Sequence, residues 1–158
     1  MVYLNCMYNE RVRKPIRLKE YIPYNVTNYF VTVCVKEKFE LFGEVKNNKM
    51  QLSELGKTVE EEIEILKKIR KNICINSYVV MPNHVHLIIA IITGEKAPSI
   101  SQIIQQWKMA ISKKVGFSPW QRSFHDHIIR DNDSHKEITE YINNNVNNWK
   151  NDCNYIKK

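Results

Sequence analysis

The chain alternates between two hydrophobic periods. Tyr29-Phe30-Val31-Thr32-Val33-Cys34-Val35 is a run of aromatic and β-branched residues, the composition of a buried strand. Phe42 to Leu52 reads as a hairpin turning at Asn47-Asn48, because asparagine tolerates the positive φ that a tight turn requires. Ser53 then stands where it can cap a helix on which Leu55, Val59, Ile63, Leu66 and Ile69 form an apolar stripe, with Glu60, Glu61, Glu62 and Lys67 mostly on the wet side. Ile73 to Met81 and His84 to Ile92 are two further strands joined through Pro82-Asn83, a pair favoured in tight turns. From Ser99 to Val115 a second helix carries Ile100, Ile103, Ile104, Trp107, Ile111 and Val115 on one face, and Gly116 is placed to end it. Phe124 to Arg130 reads as another short strand. Ser134-x-x-Glu137 has the form of a capping box for a last helix bearing Ile138, Tyr141 and Ile142.

Strand, helix, strand, strand, helix, strand is an α+β order. It predicts an antiparallel sheet with helices on one face, a β-hairpin insertion, and a second face free for a ligand. With no Pro/Gly/Ser-rich linker or repeat, the 158 residues read as one domain, preceded by a basic arm over 1–24. In that arm Arg11, Arg13, Lys14, Arg17 and Lys19 crowd together, and the formal charge of +7 makes a polyanion the natural partner. The polar face of the second helix adds Lys108, Lys113 and Lys114. Cys6, Cys34, Cys74 and Cys153 have neither metal-binding spacing nor the density of a disulfide scaffold, which points to reduced thiols. The start of the chain does not resemble a signal peptide, and the longest apolar run, Leu87 to Ile92, is far short of a membrane span. The expected location is therefore cytoplasmic.

The chemistry concentrates at His84-Val85-His86, directly after Met81-Pro82-Asn83. In a strand, residues i and i+2 point to one face about 6.5–7 Å apart, so two imidazoles can converge on one cation while the valine packs behind them. His125-Asp126-His127 repeats the spacing on the late strand, and spacing alone does not choose between the pairs. On the last helix Tyr141 flanks the stripe of Ile138 and Ile142, and Asn145 lies one turn beyond it, in phase to point inward.

Several blocks occur together and in order: Arg17-Leu18-Lys19, Tyr29-Phe30-Val31-Thr32, Leu41-Phe42-Gly43-Glu44, Val79-Val80-Met81-Pro82-Asn83-His84-Val85-His86, Trp120-Gln121-Arg122-Ser123-Phe124-His125-Asp126-His127-Ile128-Ile129-Arg130, and Glu140-Tyr141-Ile142-Asn143-Asn144-Asn145. In these blocks the chain resembles the HUH single-tyrosine transposases, and among them the REP-associated tyrosine transposases and their insertion-sequence relatives. The resemblance implies a ferredoxin-like (RRM-like) fold and an endonuclease and strand transferase acting on single-stranded DNA beside a hairpin. It implies that His84 and His86 hold a divalent metal, Mg²⁺ or Mn²⁺, and that Tyr141 attacks the scissile phosphorus to leave a 5′-phosphotyrosine and a free 3′-hydroxyl. It places Asn145 where relatives carry an amide, often glutamine, that completes the metal shell. His127 and Arg130 would approach the phosphate, support the site or pack as plain sheet-surface residues, and on charge grounds Arg11, Arg13, Lys14, Arg17, Lys19, Lys108 and Lys113 would contact DNA. Relatives differ in whether the tyrosine acts in its own subunit or across a homodimer. Val146 follows Asn145 where many relatives have proline, which predicts a different exit from the helix.

Elementary chemistry is consistent with these roles. A phenol with an ordinary pKa near 10 needs a base or a nearby cation to act as a nucleophile at neutral pH. Two other readings keep part of the constellation: a domesticated descendant that holds DNA or RNA hairpins without cutting, and a metal-dependent hydrolase in which Tyr141 is incidental. Only the transposase reading predicts a covalent protein–DNA adduct.

Overall fold

The computed structural model describes residues 26–92 and 97–156, so Arg11, Arg13, Lys14, Arg17 and Lys19 of the basic arm lie outside the described residues. Among the described residues the strands and α-helices follow in order: β1 (Val26–Cys34), β2 (Gly43–Lys46), β3 (Lys49–Leu52), α1 (Glu54–Ile69), β4 (Ile73–Met81), β5 (His84–Ile92), α2 (Ile100–Val115), β6 (His125–Ile129) and α3 (Asn132–Asn144). Four strands form an antiparallel sheet in the order β4-β5-β1-β6. With the β2–β3 hairpin set aside, the order β1-α1-β4-β5-α2-β6 is the ferredoxin-like β-α-β-β-α-β unit. The α+β class and the hairpin insertion are as the sequence predicts.

Local chemistry accounts for the elements. Asn47 and Asn48 hold φ of 50° and 57°, the two positive values a two-residue hairpin turn needs. Ser53 Oγ accepts from Gly56 N at 3.0 Å to cap α1 and donates to Leu41 O at 2.7 Å, which ties the hairpin to the helix. Gly56 permits that approach, since a Cβ there would stand 2.1 Å from Phe42 O. Ser99 and Gln102 form a capping box on α2, and Gly116 closes it with φ of 82°.

The helices α1 and α2 bury one sheet face, where Val31, Val33, Val85, Leu87 and Ile89 meet Ile63, Ile103, Ile104 and Trp107. Three expectations need correction. Ile69 is exposed at the end of α1, whereas Glu62 is buried, because its carboxylate accepts from Lys114 Nζ at 2.7 Å and ties α1 to α2. The last helix begins at Asn132, since Asp131, extended at the end of β6, takes the Ser134 amide on Oδ1 at 2.7 Å and so occupies the capping position itself. The second sheet face is not left free. Strand alternation places Phe30, Ile88 and Ile129 on it, and α3 covers them with Ile138 and Ile142 while packing on β4 and β5. Over β1 and β6 the face stays more open, with Thr32 half-buried and His125 and His127 exposed. Among the described residues, no helix is long and apolar enough to cross a membrane.

Candidate active site

The turn at Pro82-Asn83 delivers His84 and His86 to the start of β5, and the two-residue period turns both rings onto the face that carries α3. Their Nε2 atoms stand 3.0 Å apart, and both side chains are buried, at 0% and 3% exposure. Asn83 fixes the first ring. Its Nδ2 donates to Lys38 O and Asn154 O, so its Oδ1 accepts from His84 Nδ1 at 2.8 Å and leaves the His84 Nε2 lone pair aimed at the site. Thr32, directly across from His86 on β1, holds that ring through Oγ1 at 2.9 Å from Nδ1. Phe30 stacks against the His86 ring and Trp149 flanks His84. Burial pushes the His84 imidazole down to about 4, against the opposing pull of the Asp152 carboxylate. Burial, with His84 as neighbour, holds His86 well below its ordinary value. Both rings are therefore neutral at physiological pH, the form that ligates metal.

From above, α3 supplies Tyr141. Its Oη lies 3.4 Å from His86 Nε2 and donates to Asp152 Oδ2 at 3.1 Å. Burial first, then the Asp152 carboxylate, raise the phenol above its ordinary pKa. The expected departure at Val146 does not displace Asn145. The helix tightens there, with Asn145 N bonded to Ile142 O, and Asn145 keeps right-handed helical dihedrals and points inward at 2% exposure. Its Nδ2 donates to Asp152 Oδ2 at 3.2 Å, while its buried Oδ1 has no hydrogen-bond partner among the described residues.

Sequence reasoning missed Asp152. It follows a single 3₁₀ turn at Trp149–Asn151, is buried, and brings Oδ2 to 3.9 Å from His84 Nε2 while Oδ1 accepts from Asn154 N at 2.7 Å. No periodicity marks it. The available signal was that Asp152 is the sole acidic residue after Glu140 in an asparagine- and lysine-rich tail.

Ligand atoms of His84, His86 and Asp152 lie within 4.8 Å of one another. Two neutral imidazoles, a carboxylate and an orphaned amide oxygen make a mixed N/O donor set that suits a divalent ion such as Mn²⁺ and fits Mg²⁺ less well. The unpartnered Asn145 Oδ1 is the kind of buried acceptor that a cation would satisfy. The residues fit the group.

The remaining predicted residues lie elsewhere. His125 and His127 are exposed on β6, on the same sheet face, and Arg130 is exposed just beyond the strand. Lys108 is half-buried and donates to Gln121 O at 2.7 Å and Arg122 O at 3.3 Å, so it ties α2 to the connector before β6. Lys113 is exposed on α2.

A ferredoxin-like sheet thus gathers a His-x-His pair, a helix-borne tyrosine and a carboxylate on one face, and its fold is that of tyrosine transposases. Solved structures agree. A REP-associated tyrosine transposase bound to a REP hairpin superposes with a TM-score of 0.61 at 23% identity, over 86% of this chain and 76% of that one. A candidate transposase from Deinococcus radiodurans superposes with a TM-score of 0.51 at 16% identity, over 80% of this chain and 97% of that one. No protein-family profile matches the sequence. The chain belongs to the same family as an uncharacterized protein of Haemophilus influenzae, to which it is 34% identical over 179 aligned positions, spanning 97% of this chain and 99% of the relative.

Proposed function

We propose that the protein is a metal-dependent single-stranded DNA endonuclease and strand transferase with Tyr141 as nucleophile. The observation that carries this reading is the convergence of Tyr141 Oη on His86 Nε2 and Asp152 Oδ2, at 3.4 and 3.1 Å, within one chain. Structural water-activating sites have no need of a phenol at that position. The hairpin held by the REP-associated neighbour supports hairpin-flanked DNA as the substrate class.

His84, His86 and Asp152, with Asn145 Oδ1, would hold the ion. A divalent ion bound there supplies Lewis-acid polarisation of the phosphate. The chain's own residues do the rest. Asn83 and Thr32 orient the two imidazoles, and Phe30 and Trp149 keep water from their flanks. Asp152 Oδ2 is the acceptor placed on the phenolic proton. As that proton leaves, the Tyr141 oxygen bonds to phosphorus and the 3′-oxygen departs with the P–O electron pair, taking a proton from solvent. The covalent ester retains the bond for rejoining, which attack by water would forfeit. Tyr141 reaches the histidines of its own chain, so the reading is of action in cis.

The rival reading is a hairpin-binding protein without nuclease activity, favoured by a half-buried phenol whose pKa is raised first by burial and then by the Asp152 carboxylate. Incubation with hairpin-flanked single-stranded DNA and Mn²⁺, followed by denaturing electrophoresis, separates the two. The nuclease forms a covalent adduct, and the binder does not.

A further inference from the structure

The half of the sheet face that α3 leaves open has its own chemistry. Cross-strand register places Val79, His86, Thr32 and His125 in one row across β4, β5, β1 and β6. The next row along the strands contains Ile88, Phe30 and His127. Along the first row exposure grows from the buried His86, through the half-buried Thr32, to the exposed His125. The row thus runs from the metal-ligand pair to solvent over two strand spacings, roughly 10 Å. Thr32 links its inner half by bonding His86 Nδ1.

β6 sorts its side chains by sign. Its alternation sends His125 and His127 to the tyrosine side and Asp126 to the opposite face, across from Val31 and near Tyr29, whose phenol is raised first by burial and then by Asp126. The open strip therefore presents two exposed imidazoles, with the strand's carboxylate turned away. Imidazole N–H groups donate to phosphate oxygens. A floor two strands wide, walled by α3 over β4 and β5, accommodates one extended strand.

We infer that this strip seats the phosphodiester backbone of single-stranded DNA leading to Tyr141, with His125 and His127 as positioning residues. The inference rests on the proposed nuclease reading for the identity of the strand. It assigns His125 and His127 no part in metal binding.

The test compares wild type with a His125→Ala, His127→Ala double variant in Mn²⁺, using anisotropy of a labelled hairpin-flanked single strand and steady-state cleavage. The double variant should bind about tenfold more weakly, a loss of about 1.4 kcal/mol. KM should rise more than kcat falls, and His125→Gln, His127→Gln should recover part of the affinity, because glutamine restores donors. Asp126→Asn, on the other face, should bind as wild type does. Affinity in the double variant within about twofold of wild type overturns the inference, as does failure of wild type to bind single-stranded DNA. Wild type that binds the strand, loses affinity in the double variant, and never forms an adduct would sink the nuclease reading and leave the strip standing.

Discussion

Tyr141 and Asp152, eleven residues apart in sequence, meet through a hydrogen bond in which the phenol donates to Oδ2 at 3.1 Å. The same oxygen receives the Asn145 amide at 3.2 Å and lies 3.9 Å from His84 Nε2. One carboxylate thereby joins phenol, amide and imidazole, and its removal should be felt by all three.

Asp152→Asn should weaken Mn²⁺ binding at least about tenfold in calorimetry, since it replaces an anionic donor in the ligand group. Asp152→Ala should also lower stability by about 1–3 kcal/mol in denaturant melts, because it leaves the Tyr141 and Asn145 donors without their acceptor in a buried site. Unchanged metal affinity in both variants would remove Asp152 from the metal site.

His84→Ala and His86→Ala should each abolish calorimetric Mn²⁺ binding, whereas His125→Ala should leave it intact. His125 is exposed at the sheet edge, with Thr32 between it and His86. Metal binding that survives loss of the first pair and vanishes with the second would mean that the wrong His-x-His had been chosen.

The histidines also predict a pH dependence for the metal-free protein. Burial depresses His84 from an ordinary value near 6.5 to about 4, and depresses His86 in the same direction. The unfolded chain therefore binds protons first as pH falls. The stabilising contribution is fully present above about pH 6.5 and is lost towards pH 4, by about 1.4 kcal/mol per pH unit for each proton taken up. Thermal melts in chelator should show Tm falling across that window. A Tm flat between pH 7 and 5 contradicts the assignment of both rings as buried and neutral.

The basic arm carries a separate expectation. Replacing Arg11, Arg13, Lys14 and Arg17 with alanine should flatten the salt dependence of single-strand binding by up to about three units, at roughly 0.7 per neutralised phosphate. It should weaken unrelated sequences about equally, because phosphate contacts do not read bases. An unchanged slope, measured by anisotropy across a salt series, would make the arm a solvated segment.

Much of this was legible from residue order because the signals were local. Asn47-Asn48 announced its turn, Ser53 and Gly116 their helix ends, and the two-residue spacing of His84 and His86 their shared face. Non-local pairings were not legible. Glu62 looked like a wet-side residue because Lys114, its partner on another helix, is 52 positions away. Asp131 displaced Ser134 as the cap because the cap position depends on where β6 ends. The second face looked free because the sequence does not say where α3 returns. Asp152 was invisible for the same reason: its role comes from a fold-back that no period encodes.

The central claim is that Tyr141 is the nucleophile, and mapping the adduct by mass spectrometry tests it most directly. With hairpin-flanked single-stranded DNA and Mn²⁺, wild type should carry a 5′-phosphonucleotide on the peptide containing Tyr141. Tyr141→Phe, which removes one oxygen, should bind the same DNA nearly as well and form no adduct. An undiminished adduct in Tyr141→Phe, or an adduct mapped to another residue, would contradict the account.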